Sequence, residues 1–192
     1  DVYYRAHVQN KGWLDWACND HVAGTTGFGL RLEAYQVVLV EKGSPAPGNV
    51  KQPSIQRAFS IKPHVSKIGW QSPVYAGMTV GTTGKSLALE AFRINKLDLG
   101  YSGDIEYRAH VKKIGWQKWV KNGKVAGTTG KALSVEAIEV RLTGDLAKHY
   151  DVAYRAHVQN KGWLSWVKSG DCAGTTGQSL RMEAFEVRLI EK

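Results

Sequence analysis

Residues 154–189, YRAHVQNKGWLSWVKSGDCAGTTGQSLRMEAFEVRL, contain a pattern that occurs four times in this chain. Each copy begins with an alternation of apolar and polar residues around one histidine, and a Gly-Trp pair follows. A Gly-Thr-Thr-Gly block comes next, and the copy ends in an apolar segment with a Glu-Ala pair. The four histidines are His7, His64, His110 and His157. Self-similarity of this kind, at roughly 45 to 50 residues, is typical of modular or ring-like proteins.

The periodicity within each copy predicts β-strands. In the first copy Tyr4, Ala6 and Val8 alternate with polar residues, as expected of a half-buried strand. The next residues, 10–12, have the composition of a tight turn. Because no segment sustains a helical period, we predict an all-β protein with three or four strands in each repeat.

The last strand of each repeat changes its apolar face. In the first copy Leu30 and Leu32 lie on one face of the predicted strand, and Tyr35 and Val37 lie on the other. A strand that switches its buried face usually contains a bulge. We place that bulge at the Glu-Ala pair, which begins at Glu33.

The spacing of the copies defines the domain organisation. The predicted segments are repeat 1 (1–42), a Pro/Gly linker (43–54), a deviant repeat 2 (55–98), repeat 3 (99–145) and repeat 4 (146–192). We expect one composite domain of β-sheet repeats packed with pseudo-symmetry, as in a small propeller-like ring. The alternative is a three-fold β-prism or trefoil-like body built from repeats 2–4, with repeat 1 separate from it.

Composition narrows the class of protein but not its ligand. Of 192 residues 43% are hydrophobic, and 26 Lys and Arg against 17 Asp and Glu give a net charge of +9. This charge favours anionic partners, whether nucleic acid, polysaccharide, cell-wall polymer or membrane surface. No apolar run approaches the ~20 residues of a membrane span. Cys18 and Cys172 occupy different positions of the repeat, which favours two unpaired thiols over a ring-closing disulfide.

Two tryptophan positions are candidates for core or ligand contacts. The first, in the Gly-Trp pair, is occupied in every copy, and we interpret it as core. The second follows three residues later and is proline in repeat 2, at Pro73. Residues three apart on a strand point to opposite faces, so we expect the second tryptophan to point outward. Ligand stacking and rim packing are equally compatible with these three residues: Trp16, Trp119 and Trp166.

A histidine and a glutamate recur on the strands that flank the tryptophans. A glutamate in an otherwise apolar strand needs a partner if it is buried, and the histidine is the obvious one. We favour a structural pair over a general acid and base, because four copies of one catalytic pair in a single domain would be unusual. The sequence therefore predicts no catalytic residue, metal site or cofactor, while three histidines remain candidate ligand contacts: His7, His110 and His157.

At HVQNKGW, AGTTG and LRLEA the chain resembles the ChW repeat family, the clostridial hydrophobic repeats with a prominent tryptophan. The resemblance covers nearly the whole chain and is weakest in repeat 2. It implies an extracellular or cell-surface module of Gram-positive bacteria that binds surface polymers or other macromolecules. Such repeats are associated with sets of three, so the four copies leave open whether all of them form one body.

We therefore expect a non-catalytic module that binds a polysaccharide or cell-wall glycan through several weak sites, which gain avidity together. The second hypothesis is a protein-interaction or structural spacer module. Nucleic-acid binding through the basic surface comes third, and it would require lysines gathered on one face between aromatic side chains.

Overall fold

The computed structural model describes these parts of the chain: residues 1–26, 28–56, 58–97 and 99–192. They form an all-β protein with four repeats, as predicted. Gly27, at the end of the first Gly-Thr-Thr-Gly block, and Asp98, at the predicted end of repeat 2, lie outside the described residues. The chain divides into two compact units, Asp1–Arg57 and Ala58–Lys192.

Each repeat contributes one long strand, three short strands and a second long strand. The first unit contains β1 (Val2–Val8), β2 (Gly12–Trp13), β3 (Ala17–Cys18), β4 (Gly24–Thr26), β5 (Leu32–Leu39) and β6 (Ser54–Gln56). Strand β6 belongs to the first unit, so the linker extends past its predicted end at residue 54 to Gln56. Repeat 2 contains β7 (Phe59–Val65), β8 (Gly69–Trp70), β9 (Val74–Tyr75), β10 (Val80–Gly81) and β11 (Leu89–Lys96). Repeat 3 contains β12 (Ile105–Val111), β13 (Gly115–Trp116), β14 (Val120–Lys121), β15 (Ala126–Gly127) and β16 (Val135–Leu142). A short helix, α1 (Leu146–His149), precedes β17 (Tyr150–Val158), β18 (Gly162–Trp163), β19 (Val167–Lys168), β20 (Ala173–Gly174) and β21 (Met182–Glu191).

The two long strands of every repeat pair antiparallel, and the predicted bulge is present. In repeat 1 His7 lies opposite Ala34, but Val8 lies opposite Leu32, so Glu33 is the extra residue. The register shifts at the equivalent glutamate in the other three repeats. The extra residue cancels the change of phase in the sequence, so Leu32 and Tyr35, which lie opposite Val8 and Ala6, point to the same face of the sheet.

Repeats 2, 3 and 4 are joined by strand pairing into a closed set of three. The short strand β15 of repeat 3 pairs with β11 of repeat 2, β20 of repeat 4 pairs with β16 of repeat 3, and β10 of repeat 2 pairs with β21 of repeat 4. This arrangement agrees with the three-fold alternative. The propeller-like ring of four is not confirmed, because repeat 4 pairs directly with repeat 2.

The second unit has the larger core. Phe92 and Phe185 come from different repeats, are fully buried and bring their ring centroids to 5.0 Å. The Tyr107 hydroxyl accepts a hydrogen bond from the Ile94 N–H at 3.0 Å and donates to the Lys124 carbonyl, which links repeats 2 and 3. Burial raises the pKa of Tyr107, so the hydroxyl keeps the proton that it donates.

Candidate functional site

A histidine and a glutamate meet in every repeat, as the sequence predicted. The distance from histidine Nδ1 to glutamate Oε2 is 3.2 Å in His7–Glu33, His64–Glu90 and His110–Glu136, and 3.3 Å in His157–Glu183. In the second unit these are close polar contacts rather than well-aligned hydrogen bonds, since no aligned partner is found for Nδ1 there. All three glutamates of that unit are buried, so the histidine supplies the polar neighbour that a buried carboxylate requires.

The first tryptophan of each repeat lies on the histidine side of the sheet, and its interpretation as a core residue was wrong. Trp13 is directly opposite His7 in the strand pairing, and residues directly opposite share a face. The two rings meet edge to face, with centroids 5.2 Å apart, and the same contact recurs in the other repeats. Trp13 is 40% exposed, because this face of the strand pair points away from the core.

An arginine lies between the two tryptophans in three of the repeats. The Arg5 guanidinium carbon is 4.8 Å from the ring centroid of Trp13 and 4.7 Å from that of Trp16. We call this arrangement the Trp-Arg-Trp stack. It recurs in repeat 3 (Trp116, Arg108, Trp119) and in repeat 4 (Trp163, Arg155, Trp166).

Both tryptophans of a stack therefore lie on the same side of the sheet, and the prediction that they face opposite ways was wrong. Strand β2 ends at Trp13 and β3 begins only at Ala17, so Trp16 lies in a segment without strand geometry. The alternation of faces applies only within a continuous strand. Because the strand is interrupted, the Trp16 ring can lie on the same side of the sheet as the Trp13 ring.

Neighbouring polar groups hold each stack in place. Arg108 Nε donates to Glu139 Oε2 at 2.6 Å, and Arg155 Nε donates to Glu186 Oε2 at 2.9 Å. In repeat 1 the acceptor is Gln36. A cation over an indole face contributes roughly 0.5–1 kcal/mol when exposed and more when desolvated. The stacks are thus present without a ligand, and each arginine is held by a hydrogen bond.

The stacks of repeats 3 and 4 are longer by one arginine. Arg141 lies 4.2 Å from the Trp119 centroid, and Arg188 lies 4.1 Å from the Trp166 centroid. Repeat 2 departs from this pattern, because Pro73 replaces the second tryptophan. There Arg93 covers the first tryptophan, with its guanidinium carbon 4.4 Å from the ring centroid of Trp70.

The sequence analysis did not identify the arginines. A signal for them was present, because Arg5 precedes His7 by two residues and alternate residues of a strand share a face. The tryptophan that pairs with the histidine lies on that face as well. The arginine and both aromatic groups could therefore have been placed together.

The second tryptophans differ in their exposure. Trp16 is only 7% exposed, because linker residues cover it. Its backbone N–H donates to the Asn49 carbonyl at 2.9 Å. In the second unit Trp119 and Trp166 are half-buried, and so are His110 and His157. Among the second tryptophans, those of repeats 3 and 4 are therefore more accessible than Trp16.

A cavity of about 370 Å³ lies where repeats 2, 3 and 4 meet. Its lining includes Lys67, Lys112, Arg181 and Glu90. Three cations against one carboxylate make the cavity suitable for an anionic group. Arg181 is also paired with Glu183, at 2.8 Å.

Three further observations concern groups that the sequence analysis considered. Cys18 and Cys172 are both free thiols. Among the described residues no group of three His, Cys, Asp or Glu side chains is arranged to hold a metal ion. No helix in the same part of the chain has the length and apolar character needed to cross a bilayer.

Together these features define a tandem-repeat, all-β protein in which the same polar and aromatic contacts are built several times on a common scaffold. The family model described as clostridial hydrophobic W, or ChW, matches residues 7–41, 64–96, 110–144 and 157–191. The chain belongs to this family. No curated protein and no solved structure matches it.

Proposed function

We propose that the chain is a non-catalytic module, located outside the cell or at its surface, that binds a surface polymer, with cell-wall glycan as the first choice. The observation that carries this proposal is the pair of equivalent stacks in repeats 3 and 4. Each holds a half-buried tryptophan, Trp119 or Trp166, in a fixed position. Two equal, pre-formed sites suit a ligand that itself repeats, because linked weak sites gain avidity.

The basic charge supports a polymer that carries acidic groups. Repeat 3 has six lysines between its first and last strands: Lys112, Lys113, Lys118, Lys121, Lys124 and Lys131. The arginines of the stacks are partly neutralised by their glutamate partners, so the lysines and the cavity cations would supply most of the attraction. The stacks would supply the aromatic contact.

Binding to insoluble Gram-positive cell walls tests this proposal, with depletion from the supernatant measured at low and high salt. We expect the double variant W119A/W166A to bind at least about tenfold more weakly, which corresponds to roughly 1.4 kcal/mol. The matched control is W70A, because repeat 2 has no second tryptophan, and we expect it to change the affinity by less than about threefold. Unchanged binding of the folded double variant, or no binding of the wild-type chain to cell walls and polysaccharides, contradicts the proposal.

A second candidate function, protein association, is favoured by the bare face of strand β5. Leu32, Tyr35, Val37 and Leu39 are 60%, 72%, 56% and 79% exposed. The positions that correspond to Tyr35 are fully buried in repeats 2–4, where three repeats pack on one another: Phe92, Ile138 and Phe185. We propose that the occupant of this face is repeat 1 of two other copies of the chain, packed as repeats 2–4 are. Exposed apolar patches of this kind mark interaction surfaces.

Sedimentation over a range of concentrations tests this association. We expect a monomer–trimer equilibrium for the wild-type chain and a monomer for Y35D, because a carboxylate would be buried without a partner. I68D is the matched control, since Ile68 is exposed in a turn of repeat 2, and it should associate like the wild type. A wild-type chain that stays monomeric at every concentration rules out the trimer.

A further inference from the structure

The linker that follows repeat 1 is bound to that repeat as an extended strand. Strand β6 pairs in parallel with β4, and Ser54 lies opposite Gly24. The Gly24 N–H donates to the Pro53 carbonyl at 3.0 Å. The side chain of Ile55 packs against the small core of repeat 1, where Leu14 is buried. Repeat 1 thus contains an internal polypeptide ligand.

The same linker also covers the second tryptophan. The N–H groups of Asp15 and Trp16 donate to the carbonyls of Gln52 and Asn49, at 3.3 and 2.9 Å. At Gly48 a Cβ atom would lie 2.9 Å from Trp16 Nε1, so only glycine fits at that edge of the indole. The groove of repeat 1 therefore recognises backbone carbonyls, one glycine and one apolar side chain.

Repeat 4 carries the same groove without an occupant from within the described part of the chain. Leu164 stands where repeat 1 has Leu14, and it is half-buried rather than buried. The Thr175 N–H donates to the Glu136 carbonyl at 3.0 Å, so the neighbouring Gly174 N–H points to the opposite side of β20. Among the described residues, no protein acceptor meets the N–H groups of Ser165, Trp166 or Gly174.

Repeat 3 shows how the groove is closed when no linker is present. Gln117 takes the place of Leu14, and its side-chain amide reaches the glycine of β15. The Gly127 N–H donates to Gln117 Oε1 at 2.7 Å, and Gln117 Nε2 donates to the Gly127 carbonyl at 3.2 Å. One side chain thus replaces the peptide contacts of the linker. Repeat 4 has leucine here and lacks this replacement.

We propose that repeat 4 binds an extended polypeptide segment with the chemistry of residues 48–55, in which a glycine is followed by a proline five residues later and then by an apolar residue. The glycine packs at the edge of Trp166. Backbone carbonyls accept from the N–H groups of Ser165, Trp166 and Gly174, and the apolar side chain covers Leu164. This site meets the proposed glycan site at Trp166 alone, because its other contacts are Leu164 and backbone groups of repeat 4, and the stack of repeat 3 lies outside it.

A synthetic peptide of residues 47–56, PGNVKQPSIQ, tests the site on the full-length chain. We expect one peptide to bind per chain by calorimetry, and the Gly174 amide to show the slowed hydrogen exchange of a bonded N–H. A G48A peptide should bind at least about tenfold more weakly, because its Cβ meets the indole edge. Equal affinity of the two peptides contradicts the proposed pose.

The matched protein variant gives repeat 4 the glutamine that fills the groove of repeat 3. L164Q should bind the peptide at least about tenfold more weakly, since the new amide can take the Gly174 N–H and C=O as Gln117 does in repeat 3. L164M is the control, because it keeps an apolar side chain, and it should bind like the wild type. Unchanged peptide binding by folded L164Q, or no binding by the wild-type chain, overturns the proposal. Cell-wall binding of L164Q should be unchanged, so failure of the peptide site and failure of glycan binding can be told apart.

Discussion

Replacing Phe185 with alanine is expected to destabilise the second unit by about 3–5 kcal/mol. Phe185 is fully buried, and its ring lies 5.0 Å from that of Phe92 in another repeat. The three repeats of this unit close on themselves, so neighbouring strands cannot collapse freely into the cavity. The cost of such a substitution increases with the volume left empty. Urea denaturation followed by circular dichroism measures the change.

The repeat architecture supplies a matched control at the same structural position. Tyr35 corresponds to Phe185 but is 72% exposed, so Y35A should change stability by no more than about 0.5 kcal/mol. The comparison is made at low protein concentration, where the proposed trimer is dissociated. Similar losses for Y35A and F185A would contradict the assignment of this position to the core in one unit and to the surface in the other.

Much of the fold follows from the pattern of each repeat. Strict alternation around His7, turn residues after it and the change of face at Glu33 predict two long paired strands with a bulge, and these are present. The strand pairing that joins repeats 2–4 into a closed set was harder to predict from the sequence. It depends on short strands such as β10 and β20, which are two residues long and carry almost no periodic signal.

The site was predicted in part. The histidine–glutamate contact could be anticipated, because a glutamate within an apolar strand requires a polar neighbour. The positions of the tryptophans could not be taken from alternation alone, since the strand is interrupted between Trp13 and Ala17. Trp16 is covered by the linker. The Pro and Gly content of the linker predicts irregular structure but not where the linker packs. Its pairing with β4 is a tertiary contact that local sequence does not specify.

Alanine at Gly127 is expected to be strongly destabilising, and G127A should cost at least about 4 kcal/mol. A Cβ atom at this position would lie 2.3 Å from the Glu90 carbonyl oxygen and 2.6 Å from Ala91 Cα, both in the strand of the neighbouring repeat. These are backbone atoms, so relief requires the two repeats to move apart. Separation would also break the hydrogen bond from the Thr128 N–H to the Glu90 carbonyl, which measures 2.8 Å.

A comparison with G24A, at the equivalent glycine of repeat 1, distinguishes the cost of this steric clash from the cost of backbone strain. Gly24 has φ +120° and Gly127 has φ +98°, so alanine is strained at both positions. At Gly24, however, a Cβ atom would meet Ala6 Cβ alone among the described residues, at 3.8 Å, which is ordinary contact. We expect G24A to cost about 1–3 kcal/mol, the strain alone. Urea denaturation of both variants measures the difference, and equal losses would mean that the first glycine of the Gly-Thr-Thr-Gly block is required by its own backbone conformation. A larger loss for G127A would mean that this glycine is required because the neighbouring repeat packs directly against it.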